Sequence, residues 1–203
     1  MDTVAAQSRK GRPREFCVEA ALSAALGVFW TKGFDAASLT DLTEAMGITR
    51  PSLYAAFGNK EQLFKSALDL YEQEKLAYVS KAMAAPTARG VAEALLYGAL
   101  DLLAQDEETR GCLGVLSTMA CNAEADSIRE DVLARQQSSK DVMIARFQLS
   151  ADEGELPTAI SPQAIADYLR AIMQGLSIQA RSGAERPELE KIVETSLALW
   201  PTK

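Results

Sequence analysis

The chain has 203 residues, is 48% hydrophobic and carries a formal net charge of −7 at pH 7. That size allows one or two domains with a real core. No apolar run approaches the roughly 18–20 residues of a membrane span, so no membrane partner is expected.

The charge is unevenly placed. Residues 1–65 carry a net +1 and residues 66–203 a net −8. A polyanion is therefore drawn to the N-terminal end and repelled by the rest. Residues 1–14 are expected to form a flexible basic arm, with Arg9, Lys10, Arg12 and Arg14 crowded into six positions. Gly11 and Pro13 keep this arm from being helical, and basic residues followed by no hydrophobic stretch do not make a secretory signal. The plain alternative is a solvated tail. The favoured reading is an arm that reaches phosphates or a minor groove.

A first helix is expected over about 15–32, with Leu22, Ala25, Leu26 and Phe29 as its packed stripe and Gly33 ending it. Trp30 and Phe34 cap the small core beside it. The next stretch, 38–64, organises the chain. Ser38 is an N-cap, Leu39, Leu42 and Met46 recur at helical spacing, and Gly47 ends that helix. Thr49 caps a second helix with Pro51 early in it, Leu53 and Phe57 point inward, and Arg50, Ser52 and Tyr54 are left outside. Two short helices joined by a Gly turn make a helix-turn-helix, whose second helix enters a major groove. Asn59 opens a helix expected to run unbroken to about residue 83, a rigid rod from the head into the rest of the chain. Pro86 and Gly90 break the chain there.

Residues 91–203 read as further helices: about 91–105, 112–122, 126–150, 161–182 and one from Pro187 to Pro201. Asp106–Glu108 with Gly111, and Gly154 with Pro157, form loops. The fold class is all-α, with about nine helices: a helix-turn-helix head at 15–58 and a second helical domain at 59–203.

The stretch resembles the DNA-binding domain of TetR-type transcriptional regulators. The matching residues are Gly47-Ile48, Ser52-Leu53-Tyr54, Phe57, Asn59-Lys60-Glu61 and Leu63-Phe64, together with the approach GRPREF…ALGVFWTKGFDAASL. The match covers residues 9–71 and is specific as a set. Thr43 departs from the family, which more often has Ala there; a Thr fits if its hydroxyl bonds back to a helix carbonyl.

Arg50, at the start of the second helix, suits bidentate pairing with guanine. Pro51 and Ser52 lie within reach of a base edge, and Tyr54 and Lys60 suit phosphates. Ser38 and Thr40, at the preceding helix start, and the N-cap Thr49 join this set. In the family, positions matching Arg50, Pro51, Ser52, Tyr54 and Lys60 commonly face DNA. The duplex operator is one expected partner and a second copy of the chain is another, because two heads meet two half-sites. Ile165, Leu169, Ile172, Met173 and Leu176 run down one late helix, and Ile192, Val193, Leu197 and Trp200 down the next. Core packing explains such runs, but the resemblance implies that these two helices pair with their copies in a four-helix dimer interface.

The acidic helical domain suits an effector-holding role. Tyr71, Tyr78, Met83, Leu116, Met119, Met143, Phe147 and Tyr168 are candidates to line a cavity, against the plainer reading of ordinary core. Cys112 follows a turn beside Arg110, which together with a helix start favours a thiolate. The Arg110-Gly111-Cys112-Leu113 run, the Gly154-Glu155-Leu156-Pro157 loop and Gln174-Gly175-Leu176 resemble a branch of TetR-like regulators. Some members of that branch respond to electrophiles or oxidants through cysteine, and many bind small molecules. Cys112 and Cys121 are nine apart and project to opposite sides of one helix, and Cys17 looks structural. An odd count of three cysteines argues for a reducing compartment, so the cytoplasm is expected.

Catalysis is not expected, and neither is a cofactor or a metal. The chain has no histidine, no G-x-G-x-x-G and no G-x-x-x-x-G-K-[ST]. The reading is a ligand- or stress-responsive regulator, most simply a repressor released by its effector. The rival class is a helical protein-interaction module that does not bind DNA specifically.

Overall fold

The computed structural model describes residues 17–104, 111–119 and 126–201, apart from the Met119 side chain. Among these residues it is all-helical. The head is α1 (Val18–Ala36), α2 (Leu39–Met46) and α3 (Arg50–Phe57). α1 leaves helical geometry at Gly33 (φ 78°, ψ 171°), where the sequence places its end.

Short-range polar chemistry fixes the ends of α2 and α3. The Asp41 backbone N–H donates to Ser38 Oγ at 3.0 Å, and the Ser38 N–H donates back to the Asp41 carboxylate at 2.9 Å. This reciprocal capping box satisfies two donors that a bare helix start leaves unpaired. Gly47 then turns the chain with φ 64°, a left-handed geometry that costs a side-chain-bearing residue about 1–2 kcal/mol. The Ser52 N–H donates to Thr49 Oγ1, and Pro51 sits where no N–H is needed. The Thr43 hydroxyl donates back to Leu39 O at 2.8 Å, so its methyl can take the place of an alanine.

α4 (Lys60–Glu74) opens on a second reciprocal box, Asn59 with Gln62. Its inner face buries Leu63, Phe64, Leu68 and Tyr71. The Phe29 and Phe64 rings meet edge-on at 4.9 Å. At about 1.5–3 kcal/mol per buried large side chain, this face outweighs the caps at about 1 kcal/mol each. The head core therefore extends through α4 as far as Tyr71, and Leu102, Leu113, Ile128 and Val132 close it.

The rod expected over 59–83 is broken. α4 ends at Glu74, and α5 (Ala77–Met83) is a separate helix, so the described residues form ten helices where nine were anticipated. Lys75 and Leu76 both present their N–H to Tyr71 O, at 2.8 and 3.3 Å, and Leu76 leaves helical geometry (φ −97°, ψ 9°). Leu76 thereby tucks its side chain against the head core.

The body adds α6 (Ala88–Leu103), α7 (Leu113–Met119), α8 (Asp126–Asp152), α9 (Pro162–Arg181) and α10 (Arg186–Ala198). α6 starts at the Thr87 cap, earlier than the sequence suggests, and Gly90 lies inside it. α6 is the body's central helix, packed on α5, α9 and α10.

Six residues expected at a dimer interface are core residues of the single chain. Ile165, Leu169, Leu176, Val193, Leu197 and Trp200 are all buried, and Trp200 packs its ring 6.2 Å from that of Phe147. Within the single chain all six belong to the body core. Ile172, Met173 and Ile192 are only half-buried. The outward side of α9 instead carries Tyr168, Ala171, Gly175 and Ile178.

Polar contacts stitch head to body. Trp30 Nε1 donates to Gly111 O at 2.8 Å, and Arg181 donates to Thr31 O at 2.7 Å. The Ser127 hydroxyl donates to Glu61 at 2.5 Å and accepts from Lys65 at 3.1 Å. Among the described residues, no helix is long and apolar enough to cross a membrane.

Candidate nucleic-acid interface and ligand cavity

α3 turns its polar start outward because Leu53 is pulled fully into the core. Thr49, Arg50, Pro51, Tyr54, Ala55 and Ala56 are exposed, and Ser52 is half-buried with its hydroxyl 3.0 Å from that of Thr49. The Arg50 guanidinium donates to Thr40 Oγ1 at 2.8 Å. It is thus held at the junction of α2 and α3 rather than swinging free. Arg50, Pro51, Tyr54 and Thr40 form one continuous outward patch.

Two expected members of this set are engaged elsewhere. The Ser38 hydroxyl is spent on Asp41, donating to its carboxylate at 2.7 Å and accepting its N–H. Lys60 folds back over the Phe34 ring, 4.5 Å from its centre, and donates to Asp35 O at 3.5 Å. Burial lowers the Lys60 pKa, with the nearby Asp35 charge opposing it. Asp41 shifts the other way. The Lys32 ammonium and the Ser38 groups donate to its carboxylate and hold it far below the usual range. Arg9, Lys10 and Arg12 lie outside the described residues.

The body holds a half-open cavity of about 170 Å³ among α4, α5, α6, α8, α9 and the start of α7. Of the residues expected to line it, Tyr71, Tyr78, Cys112 and Met143 do. Three do not. Phe147 is fully buried in the body core, Tyr168 sits on the outer surface of α9, and Leu116 packs toward the head core. Met83 packs beside the body core and is also off the lining. The Met119 side chain, Arg110 and Cys121 lie outside the described residues.

Sequence reasoning missed the polar side of the cavity: Glu72, Arg135, Gln136, Ser139, Arg170 and Gln174. In sequence these look like the solvated face of amphipathic helices. Ser177 was the available signal, a hydroxyl inside the apolar stripe of α9; it accepts the Cys112 N–H at 2.7 Å.

Cys112 sits just before α7, half-buried, and its sulfur accepts the Tyr71 hydroxyl at 3.3 Å. Burial raises the Tyr71 and Tyr78 hydroxyls above their ordinary pKa, and the neighbouring thiol adds to the effect. Both therefore stay protonated donors at neutral pH. Cys17 is exposed at the start of α1, not buried in a structural role. Among the described residues there is no cluster of ligating side chains able to hold a metal.

The profile of bacterial regulatory proteins of the tetR family matches residues 21–67, from early α1 into α4. The HTH-type transcriptional repressor ComR of Escherichia coli (strain K12) is 32% identical over 202 residues, covering 98% of this chain and 96% of the relative. The chain belongs to the TetR family. BdcR, another HTH-type transcriptional repressor of that strain, is 32% identical to this regulator over 187 residues, covering 87% and 86% of the two chains. Among solved structures, a cysteine mutant of the TetR-family regulator CifR superimposes with a TM-score of 0.87 at 37% identity, covering 94% of this chain and all of that one. That CifR structure is complexed with 26-bp double-strand operator DNA.

Proposed function

We propose that this TetR-family regulator is a repressor that binds a palindromic operator as a dimer and is released by a small-molecule effector in the cavity. The outward patch of α3 carries the reading: Arg50, Pro51 and Tyr54 are exposed on a helix whose start and inner face are both fixed. The relatives named as repressors and the CifR–operator complex support it. Residues 1–14 act as the basic arm, 15–58 read DNA, and 59–203 hold the effector and the dimer contact, in the cytoplasm. Arg50 reads a guanine, while Thr40, Thr49, Ser52 and Tyr54 contact phosphates or base edges.

The dimer forms through the outward residues of α9, α10 and the turn that follows, among them Tyr168, Ile178, Ile192 and Leu199. α4 transmits the signal, since it packs the head and also walls the cavity with Leu68, Tyr71 and Glu72. An effector that favours one setting of α4 changes the separation of the two heads.

The test is capture of genomic fragments by the purified protein at moderate salt, read by sequencing. One enriched palindrome is the expected outcome, and binding to it weakens as salt rises. Arg50→Ala costs roughly 1–3 kcal/mol and relaxes specificity at one base position. No enrichment above bulk DNA leaves the interaction-module reading in its place.

A second reading is favoured by one observation, the half-buried Cys112 sulfur on the cavity wall with the Tyr71 hydroxyl pointing at it. Alkylation of that thiol by an electrophile would then release the operator, and a Cys112→Ser variant would stay bound under iodoacetamide.

A further inference from the structure

Resting on the reading of this cavity as the effector site, we propose that its ligand is a small monocarboxylate. Arg170 holds the carboxylate, and an apolar body about the size of one six-membered ring fills the space beyond.

The size follows from the volume. A dry cavity of about 150 Å³ admits benzene, and this one measures about 170 Å³. Its inner wall is apolar and buried, formed by Leu68, Leu95, Leu103, Val132 and Met143. A body of roughly six to eight carbons fits.

The charge follows from which cation is spoken for. Three charged side chains line the cavity: Glu72, Arg135 and Arg170. Arg135 is shared among three carboxylates, with Asp69 at 2.7 Å, Asp131 at 2.8 Å and Glu72 at 3.1 Å. A further anion there would meet their surplus negative charge, and Glu72 is spent on it. Arg170 is different. Its one hydrogen bond among the described residues is a long 3.5 Å contact to Gln136 Oε1. The carboxylate one turn before it, Asp167, is committed to Lys140 at 2.5 Å. Asp167 feels the Arg170 charge, but among the described residues no carboxylate is in ion-pair contact with this guanidinium, and a half-buried guanidinium so placed favours a bidentate oxyanion.

The remaining groups are free to donate. Gln174 is one turn after Arg170 on the same helix, lines the cavity, and makes no hydrogen bond among the described residues. Tyr78 also lines the cavity, and its hydroxyl too has no hydrogen-bond partner among them. A head rich in acceptors satisfies all three groups, and a cation would oppose Arg170. The surplus negative charge around Arg135 does not reverse this. Asp69 and Asp131 are off the cavity lining, and Asp69 is 59% exposed, so water and salt screen it.

The probes are phenylacetate, its neutral isostere phenylacetamide and the cationic phenethylamine, titrated into the full-length protein by calorimetry. Phenylacetate is expected to bind at least tenfold more tightly than the amide, and the amine weakest. Arg170→Gln brings phenylacetate down to the level of the amide, with the far-UV circular dichroism unchanged. Ala99→Leu, which grows a side chain into the cavity, weakens both. Equal binding of acid and amide, a preference that survives Arg170→Gln, or no binding of any probe overturns the proposal. Operator affinity, measured with and without phenylacetate, separates the two readings. Selective binding that leaves operator affinity unchanged supports the carboxylate site and overturns the effector reading.

Discussion

Asp41 performs two tasks with one carboxylate. It completes the cap of α2 with Ser38 and receives the Lys32 ammonium at 2.6 Å, so it ties α1 to the start of the helix-turn-helix. Lys32 and Ser38 together hold its pKa well below the ordinary 3.8. A lowered folded-state pKa means that the unfolded chain binds the proton more readily. The stabilisation is complete above about pH 4, and it falls away as the pH drops from there through the folded value. Thermal melts of Asp41→Asn should therefore start below wild type at pH 7, and the gap should close in acid. A gap that is constant from pH 7 to 2 would mean that the carboxylate charge contributes nothing. The Ser38 and Asp41 cap was half legible in the sequence. Ser38 announces itself as an N-cap because its bond spans only three residues, whereas the Lys32 contact spans nine and depends on the fold. Arg135 and Arg170 were not legible at all. An arginine on a polar helix face looks the same whether it meets solvent or the rim of a cavity.

At the scale of elements, the break after Glu74 shows where local signals end. No glycine or proline stands at 75–76, so nothing in the sequence stops the helix there. The break comes from packing, since Leu76 turns inward and α5 redirects onto α6. Gly98 on α6 looks like a weak point in a helix, but it makes the closeness possible. A Cβ there would fall 2.2 Å from Tyr78 Cδ2, so the Tyr78 ring lies directly on the α6 backbone and can wall the cavity. The link between head and cavity is equally tertiary. Trp30, on α1, donates to Gly111 O and meets the Tyr71 ring edge-on at 4.9 Å, and the Tyr71 hydroxyl reaches Cys112. Trp30→Phe keeps much of the ring packing and removes the donor, leaving a buried carbonyl unpaired at a cost of about 1–3 kcal/mol. The melting temperature should fall, ligand binding should hold, and the ligand's effect on operator affinity should shrink. Unchanged coupling in this variant would route the signal through α4 alone.

The chain divides its charge unevenly, with a net +1 in residues 1–65 and a net −8 in residues 66–203. Under the proposed function that asymmetry orients one head on DNA, and a palindromic operator calls for two. The sequence marked α9 and α10 as the pairing helices from their apolar runs, yet most of that apolar surface is consumed by the chain's own core. Leu176 is fully buried, whereas Ile178, two residues on, is 42% exposed, and period alone could not say which side faces inward. The two sides make opposite predictions. Tyr168→Glu with Ile178→Glu places charge on exposed positions, so the single chain should melt as before while light scattering reports a monomer. Operator affinity should then drop by about 10²–10⁴, the avidity that two linked heads provide. Leu176→Glu buries an unpaired charge in the core and should unfold the protein outright. A double variant that stayed dimeric would move the contact to α8, where Val142 and Leu149 are 53% and 58% exposed. The heads would then stand at a different separation, and the spacing of the enriched half-sites would report it.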